Sequence, residues 1–98
     1  MPVIEFLDSL SVKERVKCRQ YIDALVEFGN SLPSNYIKHI EKGLWELRPE
    51  FGGAEFRLFY FILAADNRIF MLHAIKKKTQ KTPRKEIDLA LKRKAELE

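Results

Sequence analysis

The sequence of 98 residues is poor in cysteine, histidine, glycine and proline. Its single cysteine, Cys18, cannot form a disulfide within the chain, and its two histidines, His39 and His73, cannot assemble a zinc site of Cys and His ligands. With only four glycines and four prolines, the chain is neither collagen-like nor of low complexity. We therefore expect a protein of a reducing compartment, with no structural metal and no cofactor.

Long apolar runs are also absent, and residues 1–10 carry Glu5 and Asp8 where a signal peptide would be basic. These absences predict a cytoplasmic protein that does not cross a membrane. The chain does contain 46% hydrophobic and 11% aromatic residues, which is enough for a globular core. At this length the whole chain, residues 1–98, is expected to form a single domain.

The positive charge of the chain, formally +4, is concentrated at its end. Residues 1–75 hold 9 Lys and Arg against 10 Asp and Glu, a balance of −1, whereas residues 76–98 hold 9 against 4, a balance of +5. The stretch 76–85, called the basic run below, has no acid and contains Lys76, Lys77, Lys78, Lys81, Arg84 and Lys85. Such a local field attracts a polyanion, so the run predicts contact with nucleic acid; the alternative is a solvated loop.

Hydrophobic spacing and capping signals predict three helices, near residues 3–9, 12–28 and 83–97. Apolar residues at the i, i+3, i+4, i+7 spacing of one helical face indicate the first helix. Ser11 and Glu14 form the S-x-x-E pattern of a capping box before the second helix. For the third helix, Thr82 is the candidate N-cap, and Pro83 would lie in the first turn.

Segments rich in aromatic and β-branched residues predict three strands, near residues 44–48, 55–64 and 69–76. Gly52 and Gly53 lie in the first connection, and Asp66 with Asn67 marks a tight turn in the second. The predicted fold class is therefore α+β. An N-terminal helical hairpin would pack on an antiparallel three-stranded meander, and a C-terminal helix would follow.

Arg57 is a charged residue inside the otherwise largely apolar central strand. Because burying an unpaired guanidinium costs several kcal/mol, Arg57 is expected either to pair with Glu46 on the neighbouring strand or to face a wet cleft. Period-2 alternation places Arg48 on the face of Glu46, so these three side chains are expected to converge. Tyr60 would then face the opposite side of the sheet, as a core residue more often than a catalytic one.

His73 is expected to share a face with Met71 and Ile75. A lone histidine on an apolar face is more often a satisfied core residue than an acid or base. His73 and Tyr60 are therefore secondary candidates for the site.

Four motifs together resemble the HigB-type branch of the RelE/ParE toxin superfamily over nearly the whole chain. They are EFLDSL at 5–10, GLWELR at 43–48, FRLFYF at 56–61 and, most specific, HAIKKKTQKTP at 73–83. The resemblance implies a toxin of a type II toxin–antitoxin pair, with a helical hairpin on an antiparallel sheet. Many members of the superfamily cleave mRNA in the ribosomal A site, and the ParE branch instead poisons DNA gyrase.

By the same resemblance, Arg57 matches the family's strand arginine, and Lys77 and Lys78 match its basic motif. Arg57 would neutralise charge on the phosphorane-like transition state, and a lysine would protonate the leaving 5′-oxygen or act as an electrostatic clamp. Strand alternation, and not the resemblance, indicates Glu46 as the only carboxylate on the arginine face, so Glu46 is the candidate base for the 2′-hydroxyl, and Arg48 completes the catalytic group. The other cations of the basic run are expected to bind RNA: Lys76, Lys81, Arg84 and Lys85.

The preferred hypothesis is a ribosome-dependent mRNA endoribonuclease that needs no metal. Its partners would be mRNA, the ribosome and a cognate antitoxin, expected to be of the helix-turn-helix type. A non-catalytic toxin that poisons DNA gyrase and a basic RNA-binding module are the alternatives. Family members commonly carry a strand before the segment that corresponds to residues 2–10. Its absence here predicts an exposed sheet edge, covered by the antitoxin or by a second copy in a homodimer, or a start codon placed too late.

Overall fold

The computed structural model describes residues 2–77 and 81–98. Within these residues the elements, in chain order, are α1 (Pro2–Asp8), α2 (Val12–Phe28), a 3-10 turn (Gly29–Ser31), β1 (Ile37–Glu41), β2 (Leu44–Leu47), β3 (Glu50–Phe51), β4 (Ala54–Leu63), β5 (Arg68–Lys77) and α3 (Arg84–Leu97). The predicted α+β class and the order of helices and strands are confirmed. No helix in the described part of the chain is long and apolar enough to span a membrane.

The second helix, α2, begins at the capping box that the sequence predicts. The Ser11 side chain accepts a hydrogen bond from the Glu14 amide, and the Glu14 carboxylate accepts one from the Ser11 amide, each at 3.2 Å. The helix ends at Gly29, whose φ of 57° lies in the left-handed region that glycine adopts without strain. Cys18 lies on its inner face, fully buried, and burial raises the pKa of this thiol to about 11. Cys18 is therefore a small core residue.

The strands form one antiparallel sheet with β4 near its centre. Strand β5 pairs with β4 along one side, while β2 and β3 pair with successive parts of the other side. Strand β1 pairs with β2 and forms an outer edge of the sheet within the described residues. The predicted meander of three strands corresponds to β2, β4 and β5, and the sheet also contains β1 and β3.

Helices cover both faces of the sheet. On the α2 face, α1 and α2 pack on a core that includes Leu47, Leu58 and Tyr60. On the α3 face, Ala90 of α3 packs against a second core that includes Phe59. Strand β4 contributes to both cores because successive side chains of a strand point to opposite faces.

Strand β5 contains a β-bulge at Leu72. Met71 is the partner of Tyr60 and His73 the partner of Phe59, so Leu72 is the extra residue between them. A bulge interrupts the period of two, and Met71 therefore lies with the α2-face core while His73 lies with the α3-face core. The prediction that His73 and Met71 share a face is wrong for this reason.

Helix α3 begins one residue later than its capping signal predicts. Pro83 occupies the N-cap position, and no side chain caps the helix there. The Thr82 hydroxyl instead donates a hydrogen bond to Glu46 Oε2 at 3.2 Å. The prediction of Thr82 as the N-cap is therefore wrong, because this hydroxyl is used for a contact with the sheet.

Candidate functional site

A cleft of about 360 Å³ opens on the α3 face of the sheet, between the edge strand β1 and the segment that precedes α3. It is called the cationic cleft below, and its lining includes Lys38, Glu46, Arg48, Lys77, Lys81 and Thr82. These residues come from β1, β2, the chain just after β2, the end of β5 and the chain just before α3. The antiparallel order brings them together because β2 and β5 end at the same side of the sheet.

Glu46 is a buried carboxylate in this cleft, with an exposed fraction of only 2%. Its Oε1 atom lies 3.4 Å from Arg57 Nε and 3.7 Å from Arg48 Nε. Its Oε2 atom accepts the hydrogen bond from Thr82. One oxygen of Glu46 is thus held by two guanidinium groups, and the other faces the side of the cleft where Thr82 stands.

Arg57 lies deeper than Glu46 and is 1% exposed. Its Nη1 donates to the Phe56 carbonyl at 2.8 Å, and its Nη2 donates to Glu55 Oε1 at 2.9 Å. Its Nε forms the ion pair with Glu46 without satisfying hydrogen-bond geometry. The charge of Arg57 therefore acts through Glu46 and Glu55, and its guanidinium is shielded from a ligand in the cleft.

Glu55 is a second carboxylate on the arginine face. The hydrogen bond from Arg57 is the main cause that lowers the pKa of Glu55. Residues two apart in a strand share a face, so alternation places Glu55 on the face of Arg57 just as it places Glu46 on the face of Arg48. The sequence therefore did indicate that Glu55 lies on the arginine face. The expectation that Glu46 is the one carboxylate on this face was incomplete.

Lys77 is the last residue of β5 and lines the cationic cleft. Burial lowers the pKa of its ammonium group, and the positive charge of Arg57 lowers it further. A lysine with a lowered pKa is a better proton donor near neutral pH than an ordinary one. Lys77 and Glu46 together therefore offer an acid and a base in one cleft.

The comparison with protein families matches residues 5–95 to the model of the phage derived protein Gp49-like (DUF891) family. The chain belongs to this family. The Gp49-like family is a toxin-like family, of RelE/HigB type, in toxin–antitoxin systems, and membership implies a cognate antitoxin as a partner. A search of curated proteins gives no match.

In this Gp49-like protein the basic run is divided between two faces. Lys77 and Lys81 line the cationic cleft, whereas Lys76 faces the α2 side, where its ammonium lies 3.3 Å from Glu14 Oε2. Arg84 forms ion pairs with Glu41 and Asp88 at the start of α3, and Lys85 is exposed there. Lys78 lies outside the described residues.

The two secondary candidates have partners of their own away from the cationic cleft. The Tyr60 hydroxyl donates to Asn30 Oδ1 at 2.7 Å on the α2 face, and burial raises the pKa of this tyrosine. The His73 ring lies between two residues of α3, with Nε2 3.2 Å from Glu86 Oε1 and Nδ1 3.3 Å from Arg93 Nη1. Because a guanidinium can only donate, Nδ1 is the acceptor for Arg93, and Nε2 faces the Glu86 carboxylate. Both residues connect elements of the fold.

The sequence did not indicate Lys38 and Thr82 as members of the site. Lys38 lies on β1, which was not predicted as a strand, and Thr82 was assigned to the helix cap. Among residues 2–77 and 81–98, no group of three or more His, Cys, Asp or Glu side chains is placed to hold a metal ion.

Proposed function

We propose that this Gp49-like protein is a toxin of the HigB type that cleaves mRNA on the ribosome by metal-independent attack of the RNA's own 2′-hydroxyl. The observation that carries the proposal is the carboxylate of Glu46, buried at the cationic cleft between Arg48 and Arg57 and close to Lys77. Such an arrangement supplies a fixed base, a proton donor and positive charge, which are the components that this reaction requires.

In the proposed reaction, Glu46 accepts the proton of the 2′-hydroxyl as the 2′-oxygen forms a bond to phosphorus. The bond between phosphorus and the 5′-oxygen breaks, and Lys77 donates the proton that this oxygen takes up. The products are a 2′,3′-cyclic phosphate and a 5′-hydroxyl. Oε2 is the atom of Glu46 that we assign to the proton transfer, because Oε1 is held by the two arginines.

Positive charge in the cleft would stabilise the phosphorane-like transition state. We assign this role to Arg48, which is partly exposed and able to hold phosphate oxygens with its guanidinium fork. Arg57 is buried, and we assign it the positioning of Glu46 and a contribution to the lowered pKa of Lys77. Lys78 keeps its proposed role as a further cation of the site.

Outside the reacting centre, Lys81, Arg84 and Lys85 are proposed to contact the RNA backbone or the ribosome from the α3 side. Lys76 faces the other side of the sheet, and its proposed contribution is the weakest of the four. The edge of β1 is the place where we expect the antitoxin or a second copy of the chain to add.

The experiment is expression of the chain without its antitoxin, followed by mapping of mRNA ends. Cleaved mRNA with 2′,3′-cyclic phosphate or 3′-phosphate ends is the expected result. Glu46→Gln should slow cleavage by about 10²- to 10⁴-fold, the range for a general base. Glu27→Gln, the same change at an exposed site on α2, is the matched control and should leave cleavage unchanged.

The pH dependence tests Lys77 separately. A general acid works only while protonated, so the rate should fall as the pH rises through the pKa of Lys77. Because that pKa is lowered, the fall should begin below the ordinary range for lysine, and Lys77→Arg should move it to higher pH. Growth arrest with intact mRNA and cleaved DNA would overturn the proposal in favour of the gyrase alternative.

A further inference from the structure

A second cleft, of about 480 Å³, lies on the opposite side of the edge strand from the cationic cleft. Its lining includes Lys38, His39, Trp45 and Arg48. Of these, Lys38, His39 and Arg48 also line the cationic cleft. The two clefts therefore adjoin each other around β1, and a flexible chain bound in one has a direct path into the other.

An aromatic pair forms one wall of this second cleft. His39 of β1 and Trp45 of β2 are cross-strand partners, with ring centroids 5.0 Å apart and an interplanar angle of 66°. Trp45 packs partly against the α2-face core, which fixes its ring, whereas His39 is exposed. A rigid indole with a movable imidazole at its edge can accept a flat ring against it.

Two cations, Lys38 and Arg48, line this cleft together with the aromatic pair. Lys38 is exposed on the same strand as His39, and Arg48 follows the strand that carries Trp45. Proteins bind single-stranded nucleic acid by this combination, because bases stack on aromatic side chains while Lys and Arg neutralise the phosphates. An apolar peptide would use the aromatic pair but would bring no negative charge to Lys38 and Arg48, which line the same cleft.

We infer that the second cleft binds a nucleobase of single-stranded RNA, one that neighbours the phosphate held in the cationic cleft, by stacking on His39 and Trp45. This inference rests on the proposed function for its ligand class. Lys38 and Arg48 would hold the backbone as it passes around the edge strand. The site would thereby contribute binding energy away from the reacting atoms.

The chain contains a single tryptophan, so Trp45 fluorescence reports directly on this cleft. The probe is a 2′-O-methyl RNA hexamer, which cannot be cleaved through its 2′-oxygen, titrated into the purified protein. The comparison probe is an abasic hexamer with the same backbone. We expect the fluorescence to change with the base-bearing hexamer and to stay nearly constant with the abasic one. Equal changes with both probes, or none with either, would overturn the inference.

Variants separate stacking from charge. His39→Ala should weaken binding of the base-bearing hexamer by about 5- to 150-fold, the range for one stacked base, without weakening binding of the abasic hexamer. Both affinities are measured by the fluorescence anisotropy of an end-labelled hexamer, because Trp45 fluorescence is not expected to change with the abasic one. Lys38→Gln should weaken both. Lys13→Gln is the matched control, since Lys13 lies in the first turn of α2, about 25 Å along the helix from the end near this cleft. An unchanged affinity in His39→Ala would exclude the stacking role.

The inference and the proposed function fail in distinguishable ways. Base-dependent fluorescence in a protein that leaves mRNA intact would retain the nucleobase site and remove the nuclease. The opposite result is a parent protein that cleaves mRNA, a Glu46→Gln variant that does not, and no base-dependent change in Trp45 fluorescence. It would retain the nuclease and remove the nucleobase site.

Discussion

Replacing Arg57 by methionine should destabilise the protein strongly, because Glu46 would be left buried without its main counter-charge. The side chain of Glu46 is 3% exposed, whereas that of Glu55 is 36% exposed and can be hydrated when Arg57 is removed. Methionine preserves most of the length of the arginine stem, so the change removes the charge with little loss of packing. The expected loss of stability therefore comes from the Glu46 carboxylate alone.

Removal of one partner from a buried ion pair costs about 3–5 kcal/mol. For a domain of this size each kcal/mol lowers Tm by about 4–8 °C, so Arg57→Met should lower Tm by at least about 12 °C. The double variant Arg57→Met/Glu46→Gln removes the stranded charge as well. It should be more stable than Arg57→Met alone by about 2 kcal/mol, since side chains in contact couple strongly.

The assay is urea unfolding followed by Trp45 fluorescence, with the four proteins of the double-mutant cycle compared at one pH. The reasoning would be refuted if the free energy of unfolding of Arg57→Met lay within about 1 kcal/mol of the parent's. It would also be refuted if the double variant were less stable than Arg57→Met. The result also decides how toxicity assays are interpreted. Since a small domain has only about 5–15 kcal/mol of stability in total, loss of toxicity in Arg57→Ala would not by itself demonstrate a catalytic role.

Two further predictions concern residues near the site. Tyr60→Phe removes the hydrogen bond to Asn30 and should lower the free energy of unfolding by about 1 kcal/mol, while mRNA cleavage is unchanged. If a folded Tyr60→Phe variant lost cleavage, Tyr60 would belong to the site. Lys81→Gln should reduce the slope of log affinity for the ribosome against log salt by up to about 0.7, one phosphate contact on a single strand, while Lys76→Gln should change it little. Equal slopes for the two variants would contradict the division of the basic run between faces.

Much of the fold was predictable because its signals are local. The capping box at Ser11 and the alternation in β4 depend on residues close together in the chain. Strand β1 was missed because its sequence, IKHIE, is largely polar and only Ile37 is buried. It is a strand because it pairs with β2, and such a tertiary contact leaves little trace in local propensity. The bulge at Leu72 was missed because a single extra residue carries no composition signal.

The same distinction applies to the site. Alternation predicted that Glu46, Arg48 and Arg57 converge, and the structure brings them together. Alternation left open whether Arg57 pairs with Glu46 or faces a wet cleft, and the structure shows the buried pair. Thr82 was assigned to the helix because a cap is the local use of a threonine before Pro83, yet its hydroxyl bonds to a carboxylate 36 positions away. Roles that depend on distant partners were the ones that the sequence could not provide.

The bulge in β5 has a consequence for how uniquely α3 is placed. A helix that met the sheet only through apolar side chains could shift by one turn and keep most of its contacts. At the bulge, however, the Leu72 carbonyl accepts a hydrogen bond from Arg93 at 2.9 Å, and the His73 ring is held between Arg93 and Glu86. These polar contacts are satisfied in only one alignment of helix and strand. The bulge thus specifies the alignment of α3 on the sheet. Because Thr82 lies just before α3, this alignment also fixes the position of Thr82 at the cationic cleft.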